Sequence, residues 1–385
     1  MMTVAFTPLF SEEWLGGMNY YRNLCSAVAQ YESKNIQIKI FLPCEKARKN
    51  ISAFPAGIEV RETLLLTRWS LPWLLRKLWA RFWGNDDVLA WYLRRQKVDV
   101  ISHQQSPARC MGLYNIGWIP DFQHKYLPDF FTKKEVEGRD LGFSRLAKKM
   151  DTVILSSQTA KDDFIKYYPQ YAEKARVLRF VPAIDFSARR TMAEVKEKYA
   201  LPEKFFFLPN QYWVHKNHKI VLEALRILKQ QGKSVCVVST GNTKDYRSPT
   251  HFAALQEWIR QYDLGDMYII LGMVPHADVQ SLAEAAWAYI NPSFFEGWST
   301  TVEEAKYRGK AILLSDLKVH REQAPQKGVY FDPTDPDELA DKMWKMWNIE
   351  PMEEEEVTAL EVVHQKALKT FAETYDAILE EGQRN

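Results

Sequence analysis

Short apolar runs alternate with amphipathic segments along the whole chain. A helix is predicted from about Gly17 to Tyr31, directly after the first apolar run. In the first half of the chain, strands are predicted near Val4–Phe10, Ile36–Pro43, Val98–His103, Ile116–Phe122, Thr152–Ser157 and Val177–Val181. This alternation is typical of parallel sheets covered by helices, so the predicted fold class is α/β.

The same alternation of apolar runs and amphipathic segments begins again after a polar and basic stretch at Ala183–Arg190. Asn217–Gln231 has apolar residues at helical spacing and predicts a helix. The strands predicted around it and after it lie near Phe205–Leu208, Val235–Ser239, Tyr268–Leu271, Ala288–Asn291 and Ala311–Leu314. The second half therefore predicts a sheet of its own.

The chain has 385 residues, which is enough for two domains. We expect a first α/β domain at 1–185 and a second at 190–355, with the linker at Ala183–Arg190. The tail Glu353–Glu381 predicts one or two amphipathic helices, and a helix at about 360–385 is expected to pack back on the first domain. Two such domains imply a cleft between them, where ligands usually bind.

Composition narrows the class of protein. Hydrophobic residues make up 46% and charged residues 26%, and the formal net charge is +2, so no basic field points to nucleic acid. Cys25, Cys44, Cys110 and Cys236 form no CxxC pair and are expected to be reduced thiols. No signal peptide or membrane-spanning run is predicted, so we expect a cytoplasmic location.

Arg68–Trp83 is rich in tryptophan and basic residues. One interpretation is an interfacial segment in peripheral contact with anionic lipid at the inner face of the membrane. The other is a helix packed on a sheet with its basic ends in water. The sequence leaves both open.

Several cofactor motifs are missing from the sequence. No GxGxxG follows the first strand, and no GxxxxGK[ST] or HExxH occurs, which excludes the usual nicotinamide, Walker-type and zincin sites. Asp335 and Asp337 form a DxD pair, but a helix start at Asp337 explains them. We therefore expect neither a metal ion nor a cofactor.

The most informative stretch begins where the strand at Asn291 ends. Glu296 and Gly297 lie in a short loop, and a helix is predicted to begin at Ser299 or Thr300. The start of such a helix offers free N–H groups and partial positive charge, which suit a diphosphate. Glu296 and the later Glu304 either bind sugar and ribose hydroxyls or merely cap the helix; spacing alone does not decide.

The decapeptide EGWSTTVEEA, from Glu296 to Ala305, resembles the E-G-F-G-x-x-x-x-E-A signature of family 4 retaining glycosyltransferases. Trp298 stands for the phenylalanine and Ser299 for the second glycine. The stretches beginning at Ala311 and Phe331 also resemble this family. The resemblance implies the GT-B fold, in which two Rossmann-like parallel-sheet domains face each other across a cleft.

The resemblance also implies site residues. Asn210–Lys216 stands where the family has G-R-x-x-x-x-K, so Lys216 matches the lysine and the neutral Gln211 replaces the arginine. A glycine pair between the first strand and first helix resembles the family's glycine loop. The donor-binding residues implied are Gly16, Gly17, Gln211, Lys216, Gly272, Met273, Val274, Glu296, Gly297, Ser299, Thr300, Thr301, Val302 and Glu304.

The family often shows a His-Asp pair near the cleft, and here its place is ambiguous. Asp121 fits the aspartate, but Pro120 stands where the histidine is expected. His124 and His103 are the two candidates. The catalytic residues implied are thus Lys216 and Glu296 together with one of these histidines.

The resemblance implies a metal-independent hexosyltransferase that retains anomeric configuration. The donor would be a nucleotide-sugar, most commonly UDP with a hexose, and the acceptor a glycan or lipid-linked glycan in polysaccharide or glycoconjugate biosynthesis. Two alternatives stay open: a GT-B epimerase or phosphorylase, and a catalytically degenerate nucleotide-sugar-binding protein. The substitution at Gln211 and the displaced histidine favour the latter.

Overall fold

The computed structural model describes residues 1–8, 15–31, 35–44, 54–55, 57–349 and 356–383. The chain divides into two units. The first contains residues 1–122, 133–182 and 365–385, and the second contains 123–132 and 183–364.

Each unit is built on one parallel sheet. The sheet of the first unit has the order β3-β2-β1-β4-β5-β6-β7, and that of the second β10-β9-β8-β11-β12-β13. The strands are β1 (Met2–Phe6), β2 (Ile36–Leu42), β3 (Glu59–Glu62), β4 (Val100–Gln104), β5 (Tyr114–Ile119), β6 (Thr152–Leu155), β7 (Ala175–Val177), β8 (Phe206–Leu208), β9 (Val237–Thr240), β10 (Tyr268–Gly272), β11 (Ala288–Asn291), β12 (Ala311–Ser315) and β13 (Gly328–Phe331). The α/β prediction with two parallel sheets is confirmed.

Helices connect these strands. They are α1 (Leu15–Tyr31), α2 (Leu71–Trp83), α3 (Asp87–Arg95), α4 (Gln123–Tyr126), α5 (Lys133–Lys149), α6 (Gln158–Tyr167), α7 (Met192–Lys198), α8 (His218–Gln230), α9 (His251–Gln261), α10 (His276–Ala285), α11 (Thr300–Tyr307), α12 (Lys318–Gln323), α13 (Pro336–Trp347) and α14 (Val357–Gln383). Short 3₁₀ turns lie at Pro128–Phe130, Pro169–Lys174, Phe186–Thr191 and Val214–Lys216. Within the described residues, no helix combines the length and apolar character that crossing a bilayer requires.

Both faces of the second sheet are buried. Phe206 and Leu208 pack into one apolar cluster, whereas Phe205 and Phe207 pack into another on the opposite face. Successive side chains of a strand point to opposite faces, so a strand covered by helices on both sides must be apolar throughout. This explains why β8 reads as a continuous apolar run rather than an alternation.

Several boundaries differ from the sequence prediction. The edge strand β3 was not predicted because its four residues are partly exposed and three of them are charged. The tail, predicted as one or two helices, forms one, α14. Phe10 and residues 353–355 of the glutamate run lie outside the described residues. The four cysteines are unpaired, and Cys25, Cys110 and Cys236 are buried.

Candidate active site

Polar residues gather at the carboxyl ends of three adjacent strands of the second sheet. Asn210 follows β8, Asn291 ends β11 and Ser315 ends β12. All three are buried, and the Ser315 hydroxyl donates to the Asn291 carbonyl at 3.4 Å. This edge of a parallel sheet is the usual place for a ligand site.

An ion pair joins the two loops at this edge. Lys216 Nζ lies 2.6 Å from Glu296 Oε1, and the side chains are only 17% and 9% exposed. Ser293 Oγ donates to the same carboxylate oxygen at 2.7 Å. The Phe294 N–H donates to the His215 carbonyl at 2.8 Å, which ties the Glu296 loop to the Lys216 loop. The structure therefore brings together Lys216 and Glu296, the two residues of this unit for which the resemblance implies a catalytic role beside the histidine.

The start of α11 is held beside the same loops. Ser299 is the N-cap: its hydroxyl accepts from the Val302 N–H and from Asn291 Nδ2, the latter at 2.6 Å. Thr301 Oγ1 donates to Asn210 Oδ1 at 3.1 Å, which links the helix to the loop after β8. The N-terminus of α11 thus lies beside the Lys216 loop, and its N–H groups and dipole suit an anion.

The other predicted donor-binding residues near the start of α11 differ in how exposed they are. Gly297 is half-buried in the loop, and Thr300 is exposed at the first position of α11. The Val302 side chain is fully buried in the core, and its N–H already bonds Ser299. Of the predicted donor-binding residues in α11, Val302 therefore has the most purely structural environment.

The two glutamates of α11 have different surroundings. Glu303 is buried and accepts from Gln323 Nε2 at 2.9 Å, so it holds α12 against α11. Glu304 is half-buried, and burial raises its pKa although the charge of Arg308 acts in the opposite direction. Arg308 is itself buried and paired with Glu284. Of these two glutamates, Glu303 is engaged in packing α12 against α11. Glu304 is therefore the better candidate for binding a ligand.

The neutral Gln211 stands in the loop after β8. Its carbonyl accepts from His218 Nε2 at 3.2 Å, whereas its side-chain Oε1 is buried with no hydrogen-bond partner among the described residues. Gly241 approaches this loop closely: a Cβ there would lie 2.5 Å from the Asn210 carbonyl oxygen. Glycine is needed at that contact.

Gly272, Met273 and Val274 follow β10. Gly272 has φ +66°, in the left-handed region that favours glycine, and its carbonyl accepts from the Gly241 N–H at 2.9 Å. Met273 is exposed, and Val274 packs against the apolar cluster of the second unit. The backbone of this segment therefore has a fixed course beyond the sheet edge.

The glycine pair lies inside a helix. Helix α1 begins at Leu15, two residues before the predicted start, so Gly16 and Gly17 belong to its first turn. The expectation of a loop at this glycine pair, between the first strand and the first helix, is therefore wrong. The N–H groups of a first helical turn have no partner within the helix, so such a turn can still face an anion.

The two candidate histidines have different environments. His103 lies within β4, buried in the first unit, with Nε2 2.7 Å from the Tyr20 hydroxyl and Nδ1 2.8 Å from Ser102 Oγ. Burial lowers its pKa to about 3, which favours the neutral ring. His124 lies buried in α4, and the ring of Tyr126 in the same turn lies 5.4 Å from that of Phe295. That contact brings α4 beside the Glu296 loop.

His320 is a further polar residue of this site that no sequence motif marks by itself. Its ring is fully buried, and Nδ1 donates to the Ser315 carbonyl at 2.7 Å, which leaves Nε2 as an acceptor without a partner among the described residues. Burial lowers its pKa, while the negative charge of Glu296 acts to raise it. The signals in the sequence are its place soon after the end of β12 and within the stretch beginning at Ala311 that resembles the family. No group of three or more metal-ligating side chains occurs in the described ranges.

Residues 190–358 match the family model described as Glycosyl transferases group 1. Over 228 residues, the chain is 26% identical to the O-antigen chain mannosyltransferase RfbU of Salmonella typhimurium. That match covers 59% of this chain and 58% of the relative, so the chain spans less than two thirds of the length of the curated relative it matches.

Solved structures share the fold over nearly the full chain. A glycosyltransferase from Rickettsia africae has a TM-score of 0.68 at 14% identity, covering 100% of this chain and 98% of that one. Anabaena Alr3699/HepE in complex with UDP and glucose has a TM-score of 0.68 at 16% identity, with the same coverage. WaaG, a glycosyltransferase involved in lipopolysaccharide biosynthesis, has a TM-score of 0.63 at 14% identity and covers 98% of each chain. The predicted GT-B fold is confirmed.

Proposed function

Because residues 190–358 form a domain of the glycosyl transferases group 1 family, we propose that this protein is a retaining, metal-independent hexosyltransferase. It moves a hexose from a nucleotide-sugar, with UDP as the nucleotide, to a glycan or lipid-linked glycan. The reaction belongs to polysaccharide or glycoconjugate biosynthesis in the cytoplasm.

The Lys216–Glu296 pair is the observation that carries this proposal. An ammonium and a carboxylate 2.6 Å apart lie beside a capped helix N-terminus at the carboxyl edge of a parallel sheet. A diphosphate arriving there gives Lys216 a second anionic partner. Glu296 is then free to accept hydrogen bonds from sugar hydroxyls, while Glu304 takes the ribose.

The chemistry needs charge stabilisation more than a covalent step. The bond from the anomeric carbon to the phosphate oxygen breaks, and a bond to the acceptor oxygen forms on the same face. The acceptor proton passes to the leaving phosphate oxygen. Negative charge grows on the diphosphate, and the positive Lys216 and the N–H groups of α11 stabilise that charge. Catalysis therefore depends on positioning and electrostatics.

The histidine next to the transferred sugar is assigned to His124. Its helix contacts the Glu296 loop through Tyr126 and Phe295, and it belongs to the same unit as Lys216. His103 instead lies in the core of the first unit with both ring nitrogens bonded. We propose that His124 orients a sugar hydroxyl and that His103 is structural.

The relatives support the donor and acceptor classes. One similar structure holds UDP and glucose, which supports a uridine nucleotide with a hexose. The curated relative is an O-antigen chain mannosyltransferase, which supports a glycan chain as acceptor. A lipid-linked acceptor would lie at a membrane, so peripheral contact with its inner face belongs to the proposal.

A thermal-shift screen tests the donor. UDP, GDP, ADP and their hexose conjugates are compared, and a ligand present at 100 times its Kd stabilises the folded state by about 2.7 kcal/mol. We expect UDP and a UDP-hexose to raise the melting temperature most. If none of these compounds raises it, the proposal is wrong.

A product assay tests the reaction. Glycan acceptors are incubated with the donor selected by the screen, and the anomeric configuration of the product is read by NMR. Retention that persists in EDTA is expected. An epimer formed without acceptor, a requirement for inorganic phosphate, or nucleotide binding without turnover would each point to one of the alternatives.

A further inference from the structure

Helix α2 is amphipathic in the reverse sense from an ordinary surface helix. Its one buried side chain is Arg76, whereas the large apolar side chains point outward. Leu75 is 56%, Phe82 77% and Trp83 62% exposed. The exposed apolar residues of this segment, which we call the α2 face, are Trp69, Leu71, Leu74, Leu75, Leu78, Trp79, Phe82 and Trp83.

Hydrogen bonds fix α2 in this orientation. The Arg76 guanidinium is paired with Asp86, with Nη2 2.6 Å from Oδ2, and Nη1 donates to the Leu65 carbonyl at 2.8 Å. Ser70 caps the first turn, and Gly84, at φ +76°, ends the helix. Since both ends and the buried side are held, the apolar residues are presented on a rigid element.

The charges around the α2 face are mainly positive; the exception is Asp87, whose carboxylate accepts from Trp79 Nε1 at 3.0 Å. Between Thr63 and Asn85 the sequence contains four basic residues and no acidic one. Lys77 and Arg81 are exposed beside the apolar side chains, and Arg68 lies over the Trp69 ring at 5.2 Å. Tryptophan with exposed basic residues is typical of elements that lie in the headgroup region of a membrane.

We propose that the α2 face binds the surface of an anionic lipid bilayer. The helix lies in the plane of the interface, its leucine, tryptophan and phenylalanine side chains enter the acyl boundary, and Arg68, Lys77 and Arg81 contact lipid phosphates. The inference deepens the proposed function on the acceptor side, because an enzyme held there meets lipid-linked acceptors directly. The binding itself requires no catalysis.

The charge of the α2 face favours a bilayer over a second copy of the chain as its binding partner. Two copies packed through the α2 face would bring four exposed cations, Lys77 and Arg81 of each, to one contact with only two carboxylates, Asp87 of each. The excess of like charge disfavours such a contact. An anionic bilayer supplies the opposite charge to the same residues. The apolar and basic parts of the surface are thus both satisfied by lipid.

Vesicle flotation of the purified full chain tests the proposal. Vesicles of phosphatidylcholine alone are compared with vesicles that also contain phosphatidylglycerol. We expect binding to the anionic vesicles that weakens as salt is raised. The variant Leu75→Ser/Leu78→Ser/Phe82→Ser should reduce binding by at least about 100-fold. The variant Lys77→Gln/Arg81→Gln should reduce it by about fivefold for each charge removed.

Matched variants in the same unit serve as controls. Met111→Ser/Leu141→Ser removes exposed apolar side chains elsewhere, and Lys133→Gln/Lys134→Gln removes exposed charges elsewhere. Both should bind vesicles like the wild type. Equal binding by all variants, no binding by the wild type, or a dimer in solution that the triple serine variant dissociates would each overturn the proposal.

Nucleotide binding separates this surface from the proposed function. We expect the triple serine variant to bind UDP as tightly as the wild type in calorimetry, because the substituted residues belong to the other unit from Lys216. Vesicle binding without UDP binding would leave the lipid surface standing and remove the proposed function. UDP binding without vesicle binding would overturn the lipid surface and leave the proposed function standing.

Discussion

At the residue scale, the Lys216 ammonium and the Glu296 carboxylate are in close contact. The ammonium gives the sharper test of the proposed mechanism. Replacing Lys216 with Ala removes the cation that we propose to face the leaving diphosphate. Loss of one such preorganised group costs roughly 3–4 kcal/mol in the transition state. We therefore expect kcat to fall by about 100-fold or more.

The matched control for this variant is Lys219→Ala. Lys219 lies three residues later in α8, is exposed, and forms a surface pair with Glu223 at 3.4 Å. Its removal should change kcat by less than twofold. If Lys216→Ala loses less than about fivefold, Lys216 does not have the proposed role.

Glu304 gives a prediction that depends on pH. Its folded-state pKa is raised by burial, so the stability it contributes is fully present below the unfolded pKa of about 4.3 and is lost as pH rises through the folded value. Glu304→Gln cannot ionise. Its free energy of unfolding in urea should therefore exceed that of the wild type at pH 7, and the difference should disappear near pH 4.

The same variant should bind nucleotide less tightly. A hydrogen bond to a charged group contributes about 1.5–3 kcal/mol, so we expect Kd for UDP to rise by about tenfold or more. Glu303→Gln is the control, because Glu303 bonds to Gln323 inside the protein and should leave Kd unchanged. Unchanged UDP affinity in Glu304→Gln would exclude the ribose role.

At the scale of elements, the cap of α11 couples stability to donor binding. Ser299→Ala removes the N-cap oxygen, which typically costs about 1 kcal/mol. It also leaves Asn291 Nδ2 without its partner. We expect a lower melting temperature together with a several-fold higher Kd for UDP, since the free N–H groups of α11 lose their fixed direction.

Ser157→Ala tests whether that coupling is local. Ser157 caps α6 in the first unit by the same chemistry, accepting from the Ala160 N–H at 3.0 Å. It should lower stability by a similar amount and leave UDP affinity unchanged. Equal losses of affinity in both variants would show that the effect comes from general destabilisation and not from the start of α11.

The sequence predicted the central elements better than the edges. Strand β8 is apolar throughout and β11 is apolar up to its last residue, Asn291, because both strands are buried, so their sequence alone marks them. The edge strand β3 pairs only with β2 and tolerates charged residues, so it carries no apolar signal. The resemblance to the family's motifs pointed to Lys216 and Glu296, whereas His320 needed the structure, since its burial and bonding are tertiary facts.

On the scale of the whole molecule, the two units should respond differently to ligand. Every donor-binding residue implied by the sequence lies in the second unit, apart from Gly16 and Gly17. Ligand binding stabilises the unit that holds the site. Differential scanning calorimetry with and without UDP should therefore show two transitions, of which one moves to higher temperature. Ser157→Ala should lower the other transition and leave the UDP-sensitive one in place.

The end of the chain returns to the unit where the chain began. Ala372, Tyr375 and Leu379 of α14 are buried, and Tyr375 lies against Phe6 and His103 of the first unit. During translation, residues 1–182 leave the ribosome long before residues 365–385, which complete that unit. The unit encoded first is therefore finished last, and a premature stop after His364 would release a chain whose opening domain lacks part of its own core.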